Sequence, residues 1–135
     1  MDCLFCDILD GKKDGHFLYE DNSHVAILDK YPIDVGHGLV IPRKHHEKIT
    51  DMTPEDVGNA FSIVPKIAKA IIDATGADAF SIGQNNGLAA KQIVPHVHIH
   101  IIPRYNNKGT VWTKRQISNY DELSELAKKI RSFLT

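Results

Sequence analysis

The chain has 135 residues, 42% of them hydrophobic, which suits one domain with a core of its own and leaves little room for a second. A formal charge of −1 provides no bulk attraction to nucleic acid or to a membrane surface, and no apolar stretch has the length to span a bilayer. The start, Met1-Asp2-Cys3-Leu4-Phe5-Cys6-Asp7, lacks a basic region followed by an apolar run, so no signal peptide is expected and a soluble cytoplasmic protein is the default.

Residues 3–10 read as a short helix or turn holding Cys3 and Cys6 in a C-x-x-C spacing. A redox pair of this type normally sits where a strand passes into a helix, and no strand precedes this one. In a reducing compartment the spacing favours half of a zinc site, provided two further ligands exist, over a pair of ordinary thiols. After a polar loop at 10–15, Phe17 to Glu20 and His24 to Asp29 have strand character, joined by the turn Asp21-Asn22-Ser23. Gly38-Leu39-Val40-Ile41-Pro42 is a third strand, ended by its proline. Thr53 to Thr75 is predicted as one long helix, with Thr53 as N-cap, Pro54 at the first helical position and acids in the first turn. Its apolar residues recur at helical spacing, Pro65 should kink it and Gly76 should end it. Ala77 to Gln84 and Val97 to Pro103 supply two more strands. The linker between them, rich in Asn, Gly and Ala, is too long for a tight hairpin and is expected to shape a site. A second helix runs from about Asp121 to Leu134, with Leu123, Leu126, Ile130, Phe133 and Leu134 on its apolar positions. This order implies an α+β fold over residues 1–135, a mostly antiparallel sheet of about five strands with one long helix and a C-terminal helix.

The chemistry concentrates in His96-Val97-His98-Ile99-His100-Ile101-Ile102-Pro103-Arg104. In a strand, alternation puts the three imidazoles on one side and Val97, Ile99 and Ile101 on the other. At the rise of a strand His96 and His100 lie about 13 Å apart and His98 about 6.6 Å from each. One reacting atom cannot touch all three, so the middle histidine is best placed for the reacting centre and the outer two have other tasks. From Ala79 through Tyr120 there is no Asp or Glu, whereas Lys91, Arg104, Lys108, Lys114 and Arg115 fall inside. An acid-free, cationic surface suits an anionic group such as phosphate and argues against an open hydrolytic metal centre, which normally draws on carboxylates. Imidazole attack on phosphorus needs a neutral ring oriented through its other nitrogen, and donors around the phosphoryl oxygens. His98 fits the first requirement. His100 and His37, the latter between Gly36 and Gly38 at the mouth of the third strand, could meet part of the second.

These residues resemble the histidine triad family. His96 to Ile102 matches its His-φ-His-φ-His-φ-φ pattern, Gly36 to His45 looks like its second signature, and Cys3-x-x-Cys6-Asp7-Ile8 resembles the start of its zinc-containing bacterial and Hint-like members. The resemblance runs from Cys3 to about Trp112. It implies a nucleotidyl hydrolase acting at an α-phosphate of a purine nucleotide derivative, a phosphoramidate, dinucleoside polyphosphate or adenylate. By that analogy His98 is the nucleophile, while His100 and His37 bind and polarise the phosphate. Asp29 matches the ribose-contacting acid and Ile27 lies near the base. Asn85, with Asn86 adjacent, faces ribose or phosphate, and Gln92 stands near the leaving group. The family's uridylyltransferase branch carries glutamine at the third histidine, so His100 favours hydrolysis. Cys3, Cys6, His45 and His96 would form a closed structural zinc site, with His46 an adjacent substitute ligand. Family members are homodimers, and the same is expected here, with no nucleic-acid or membrane partner. One departure is Lys91-Gln92-Ile93 where related chains usually have Gly-Gln-Ser/Thr; it puts leaving-group preference in question. A zinc-stabilised nucleotide-binding module with little turnover is the alternative reading, and a metal-dependent hydrolase using the triad as ligands is a third.

Overall fold

In the computed structural model residues 3–113 and 119–134 are described; Lys114 and Arg115 of the basic segment lie outside them. The elements are α1 (Leu4–Leu9), β1 (Phe17–Glu20), β2 (His24–Leu28), β3 (Gly38–Pro42), α2 (Pro54–Ser62), α3 (Val64–Thr75), β4 (Ala79–Gly83), β5 (Ile99–Arg104) and α4 (Tyr120–Ser132). The five strands form one sheet in the order β1-β2-β3-β5-β4, and every neighbouring pair is antiparallel. This is the expected α+β architecture. No described helix is long and apolar enough to cross a membrane.

Two elements differ from their sequence reading. The long helix is divided into α2 and α3 at Ile63, rather than kinked within one rod. Pro65 has no N–H to give to the preceding turn and its ring crowds the carbonyl four residues back. The chain resolves this by closing α2 with an Ile63 N–H bond to Phe61 C=O and restarting with Pro65 in the first turn of α3. The outer ends hold as expected. The Thr53 side chain accepts from Asp56 N–H, and Gly76 caps α3 in the left-handed region at φ +72. The second difference is that β5 begins at Ile99, so His96 and His98 precede the strand. His100 pairs Leu39 of β3 on one side and Gly83, the last residue of β4, on the other. Pairing with β4 stops at Gly83 and pairing with β3 at Val40, opposite Ile99, and Val97 N–H turns instead to His46 C=O at 2.8 Å. At the C-terminus Leu123, Ala127 and Ile130 of α4 are buried, whereas Phe133 is exposed.

The sheet buries both faces. One packs Ala26, Leu28, Val40, Ile99 and Ile101 against α3 and α4 through Ile67, Ile71, Leu123 and Ile130. The other packs Val25, Ile27, Leu39 and Ile41 against Phe5 and Ile8 of α1. His100, in register with Leu39, therefore emerges on the α1 side, opposite to the core under α3. Two glycines secure the entry to β3. Gly36 has φ +93, and a Cβ there would meet Thr75 Cγ2 at 2.9 Å; one on Gly38 would meet Ile71 Cδ1 at 2.9 Å. The close approach that the Gly36-His37-Gly38 pattern suggested is thus made to α3, and it fixes where His37 stands.

Candidate functional site

A cleft of about 960 Å³ opens between α1, the end of β2 and the segment leading into β5. Ile27, Asp29, His98 and His100 line it, together with Phe5, Ile8 and Leu39 as apolar floor. The Phe5 ring stands edge-on to His98 at 4.8 Å between centroids, and His98 to His100 at 4.8 Å.

The hydrogen bonds around these rings assign their tautomers. The Ile33 N–H donates to His37 Nδ1 at 3.0 Å, so Nδ1 is the lone-pair nitrogen and Nε2 of the neutral ring carries the proton. His37 Nε2 then donates to His100 Nδ1 at 2.9 Å, which puts the proton of neutral His100 on Nε2. His98 is wired in the opposite sense. Its Nδ1 donates to the His96 carbonyl at 2.7 Å, because a carbonyl only accepts, and this puts the lone pair of the neutral ring on Nε2. Adjacent rings thus present one nucleophilic nitrogen and one N–H donor. The Asp29 carboxylate lies 3.6 Å from His37 Nε2 and accepts from Tyr31 N–H at 2.9 Å.

The remaining triad member serves a second cluster. His96 is fully buried; its Nε2 donates to Pro42 C=O at 2.7 Å and its Nδ1 faces the N-terminal cysteines. Cys3 Sγ is 3.4 Å from that nitrogen and Cys6 Sγ 3.5 Å, while Cys6 Sγ lies 3.3 Å from His45 Nδ1. The two histidine nitrogens are 3.1 Å apart. A zinc ion with Zn–S of about 2.3 Å and Zn–N of about 2.0–2.1 Å makes a tetrahedron with edges of roughly 3.3–3.8 Å; the sulfur–nitrogen spacings fall in that range, the nitrogen–nitrogen one lies just below it, and the two-sulfur, two-nitrogen donor set fits the ion. Local structure brings the sulfurs together: Cys3 is the N-cap of α1 and accepts from the Cys6 N–H. Burial, then the hydrogen bond and charge of Cys3, push the Cys6 thiol up to about 11, a shift a bound cation would reverse. Burial also lowers His96 below its ordinary value, keeping it neutral as a ligand must be. His46 stands outside this group, its buried Nε2 without a hydrogen-bond partner among the described residues. The three triad histidines do not converge on one point: among the described residues His96 belongs to the cysteine cluster, His100 to a group with Asp29 and His37, and His98 to neither.

Four expected residues are placed away from the cleft lining. His37 is buried behind His100, where it reaches the cleft through that ring rather than beside His98. Gln92 is buried, its Oε1 accepting from Gly87 N–H and its Nε2 donating to Glu47 C=O, both at 2.6 Å. Asn86 accepts from Ile49 N–H at 2.7 Å and pairs with Gln84. Asn85, half-buried beside it, does not line the cleft. The Asn86 and Gln92 side chains brace the 84–95 loop against residues 47–49. Conversely, the cleft includes Phe5, His16, Tyr120 and the cations Lys12, Lys13 and Lys30, which no motif singled out. His16 and Tyr120 pack 4.7 Å apart. Burial, then Lys30, lowers His16, with Asp14 opposing. Phe5 had a signal, as an apolar position inside the C-x-x-C; His16 and Tyr120 are distant in sequence and had none.

The family model described as HIT domain matches residues 10–107. An adenylylsulfatase, HINT3, of Arabidopsis thaliana is 38% identical over 138 residues, covering 98% of this chain and 70% of that protein. The adenosine 5′-monophosphoramidase hnt1 of Schizosaccharomyces pombe is 37% identical, covering 98% of each chain. Among solved structures, a zinc-bound histidine triad family protein from Mycobacterium smegmatis superposes with a TM-score of 0.88 at 35% identity, covering 99% of this chain and 94% of that one.

Proposed function

This chain belongs to the histidine triad family, and from that premise we propose that it is a nucleotidyl hydrolase that cleaves at the α-phosphate of a purine nucleotide derivative through a covalent nucleotidyl-histidine. The opposed wiring of His98 and His100 carries the reading. His98 Nε2 attacks phosphorus, forming an N–P bond as the bond to the leaving group breaks. His100 Nε2–H donates to a non-bridging oxygen, where charge develops. The leaving group departs with the electron pair of its bond, and a water then attacks phosphorus on the adduct. The P–N bond breaks, the nucleoside monophosphate and a proton are released, and neutral His98 returns. The bond from His98 Nδ1–H to the His96 carbonyl supports this cycle, since it stabilises the ring as that N–H becomes more acidic on phosphorylation. His37 acts on the phosphate through His100, which it holds in the donor tautomer.

The nucleoside is assigned to the apolar floor near Ile27, with Asp29 toward the ribose hydroxyls; Asn85, Asn86 and Gln92, which do not line the cleft, act by shaping the loop. The two enzymes named above, an adenylylsulfatase and a monophosphoramidase, support an adenylyl group as the portion held in common. Cys3, Cys6, His45 and His96 would hold a structural zinc ion, which ties α1 to the segment entering β5 and takes no part in the chemistry. The reading extends to residues 1–135 as one HIT domain, assembled as a cytoplasmic homodimer. The test is hydrolysis of adenosine 5′-phosphoramidate and diadenosine tetraphosphate by native protein and His98→Ala. Turnover lost in the variant supports the reading. AMP binding without turnover would instead favour the regulatory-module alternative.

A further inference from the structure

Resting on the hydrolase reading above, we propose that Lys91 is a specificity-determining residue that selects leaving groups departing as anions, a phosphate or polyphosphate chain, over amines. Lys91 lines the cleft that holds His98 and stands on a different wall from β2, on the loop that runs into β5. The cleft volume of about 960 Å³ leaves space beyond a nucleoside monophosphate for a second anionic group.

Its backbone is held at φ +63, ψ +34, with its N–H bonded to Leu88 C=O at 2.9 Å. Glycine adopts that conformation freely and a lysine does not. Asn107 is the other non-glycine residue with positive φ among those described, and asparagine tolerates that region; Lys91 has no such excuse. The position therefore carries a charged side chain where local conformation favours none, a pattern that points to use of the side chain. Among the described residues no carboxylate lies within ion-pair distance of the Lys91 ammonium, and the sequence has no acid from Ala79 through Tyr120 to neutralise it.

The adjoining wall adds a second, independent constraint. Ile93 is 80% exposed and lines the cleft with Val94, so among the described residues this side offers an apolar surface and an ammonium, and none of Lys91, Ile93 and Val94 carries a hydroxyl. When His98 displaces a phosphate, the P–O electron pair goes to the leaving oxygen, which departs as a phosphate anion and needs no proton. When it displaces an amine, the nitrogen must gain a proton to leave. A wall with a fixed positive charge and no hydroxyl stabilises the first departure and does little for the second.

The experiment compares kcat/KM for diadenosine tetraphosphate with kcat/KM for adenosine 5′-phosphoramidate in native protein, Lys91→Met, Lys91→Arg and Lys91→Gly. A screened ion pair supports about a five- to tenfold fall in the polyphosphate-to-phosphoramidate ratio for Lys91→Met and Lys91→Gly, and near-native discrimination for Lys91→Arg. Repeating the native measurement near about 1 M salt should erode the preference in the same sense. Lys91→Gly relieves the backbone, so misfolding does not account for its lowered ratio. Turnover of both substrates at an unchanged ratio in Lys91→Met overturns the inference and leaves the hydrolase reading intact. Turnover of neither by native protein overturns the hydrolase reading and this inference with it.

Discussion

Replacing His37 by asparagine or by glutamine separates the two hydrogen bonds that this buried ring makes, and the two variants should fail in different ways. Asparagine places an acceptor near the position of Nδ1, so it keeps the bond from Ile33 N–H and loses the donor to His100 Nδ1. Glutamine reaches the position of Nε2, so it keeps a donor to His100 and loses the bond that the Ile33 N–H, in a buried residue, makes to Nδ1. Loss of a hydrogen bond at a buried donor costs about 1–3 kcal/mol, which in a domain of this size lowers Tm by roughly 3–10 °C. Loss of the donor that locks His100 lets the ring adopt the tautomer with a lone pair at Nε2, facing a phosphate oxygen it should be stabilising. Removal of one such donor costs about 10²–10³ in kcat, and loosening one without deleting it should cost about 10- to 100-fold. The expected pair of results is therefore a nearly native Tm with kcat down about 10- to 100-fold for His37→Asn, and a lowered Tm with kcat within about fivefold for His37→Gln. KM should move little in either. Thermal melts and steady-state hydrolysis of adenosine 5′-phosphoramidate read both quantities. Native kcat in His37→Asn would refute the tautomer argument.

Purified protein should contain one zinc per chain by metal analysis, and because structural zinc binding is worth about 10 kcal/mol or more, chelation should lower Tm by roughly 10 °C or more. Metal-free protein whose melting ignores chelator would contradict the Cys3, Cys6, His45 and His96 assignment. Gly36→Ala forces a side chain into φ +93 and against Thr75 Cγ2 at 2.9 Å, so it should destabilise by about 2 kcal/mol or more in urea unfolding. Acid behaviour gives another check through Asp21. Burial alone would raise its carboxyl, but the N–H of Ser23, the Tyr19 hydroxyl and the N–H and ring of His24 outweigh burial and hold it below the ordinary 3.8. As pH falls the unfolded chain takes up this proton before the folded one does. The stabilisation is thus full well above pH 3.8 and is lost as pH drops through the folded value. Asp21→Asn should lower Tm at neutral pH, and its gap to native protein should narrow in melts below pH 3.8.

What the sequence made legible follows from how local each feature is. Strand rise alone separated the tasks of the three histidines, and in the structure the His96 ring faces the cysteines while His98 and His100 line the cleft. The length of β5 was not legible, because it depends on long-range pairing: β4 stops at Gly83 opposite His100, the ladder with β3 stops at Val40 opposite Ile99, and His96 and His98 precede both. Pro65 announced an interruption, but whether α2 and α3 form one bent helix or two depends on how Ile63 closes the first. The family resemblance marked Asn86 and Gln92 as functional candidates without saying which way they point, and both tie their loop to itself and to residues 47–49. The contact of His37 with His100 joins residues 63 positions apart, and that of His16 with Ser124 joins residues 108 apart; neither leaves a trace in periodicity. The need for donors at a phosphate and the flanking glycines drew His37 toward the site, and the structure places it behind His100.

The stereochemical course of hydrolysis at a chiral α-phosphorus tests the central claim most directly. Two successive displacements, first by His98 Nε2 and then by water, predict net retention of configuration. Net inversion would mean that water attacks the substrate itself, and the nucleotidyl-histidine account would be wrong.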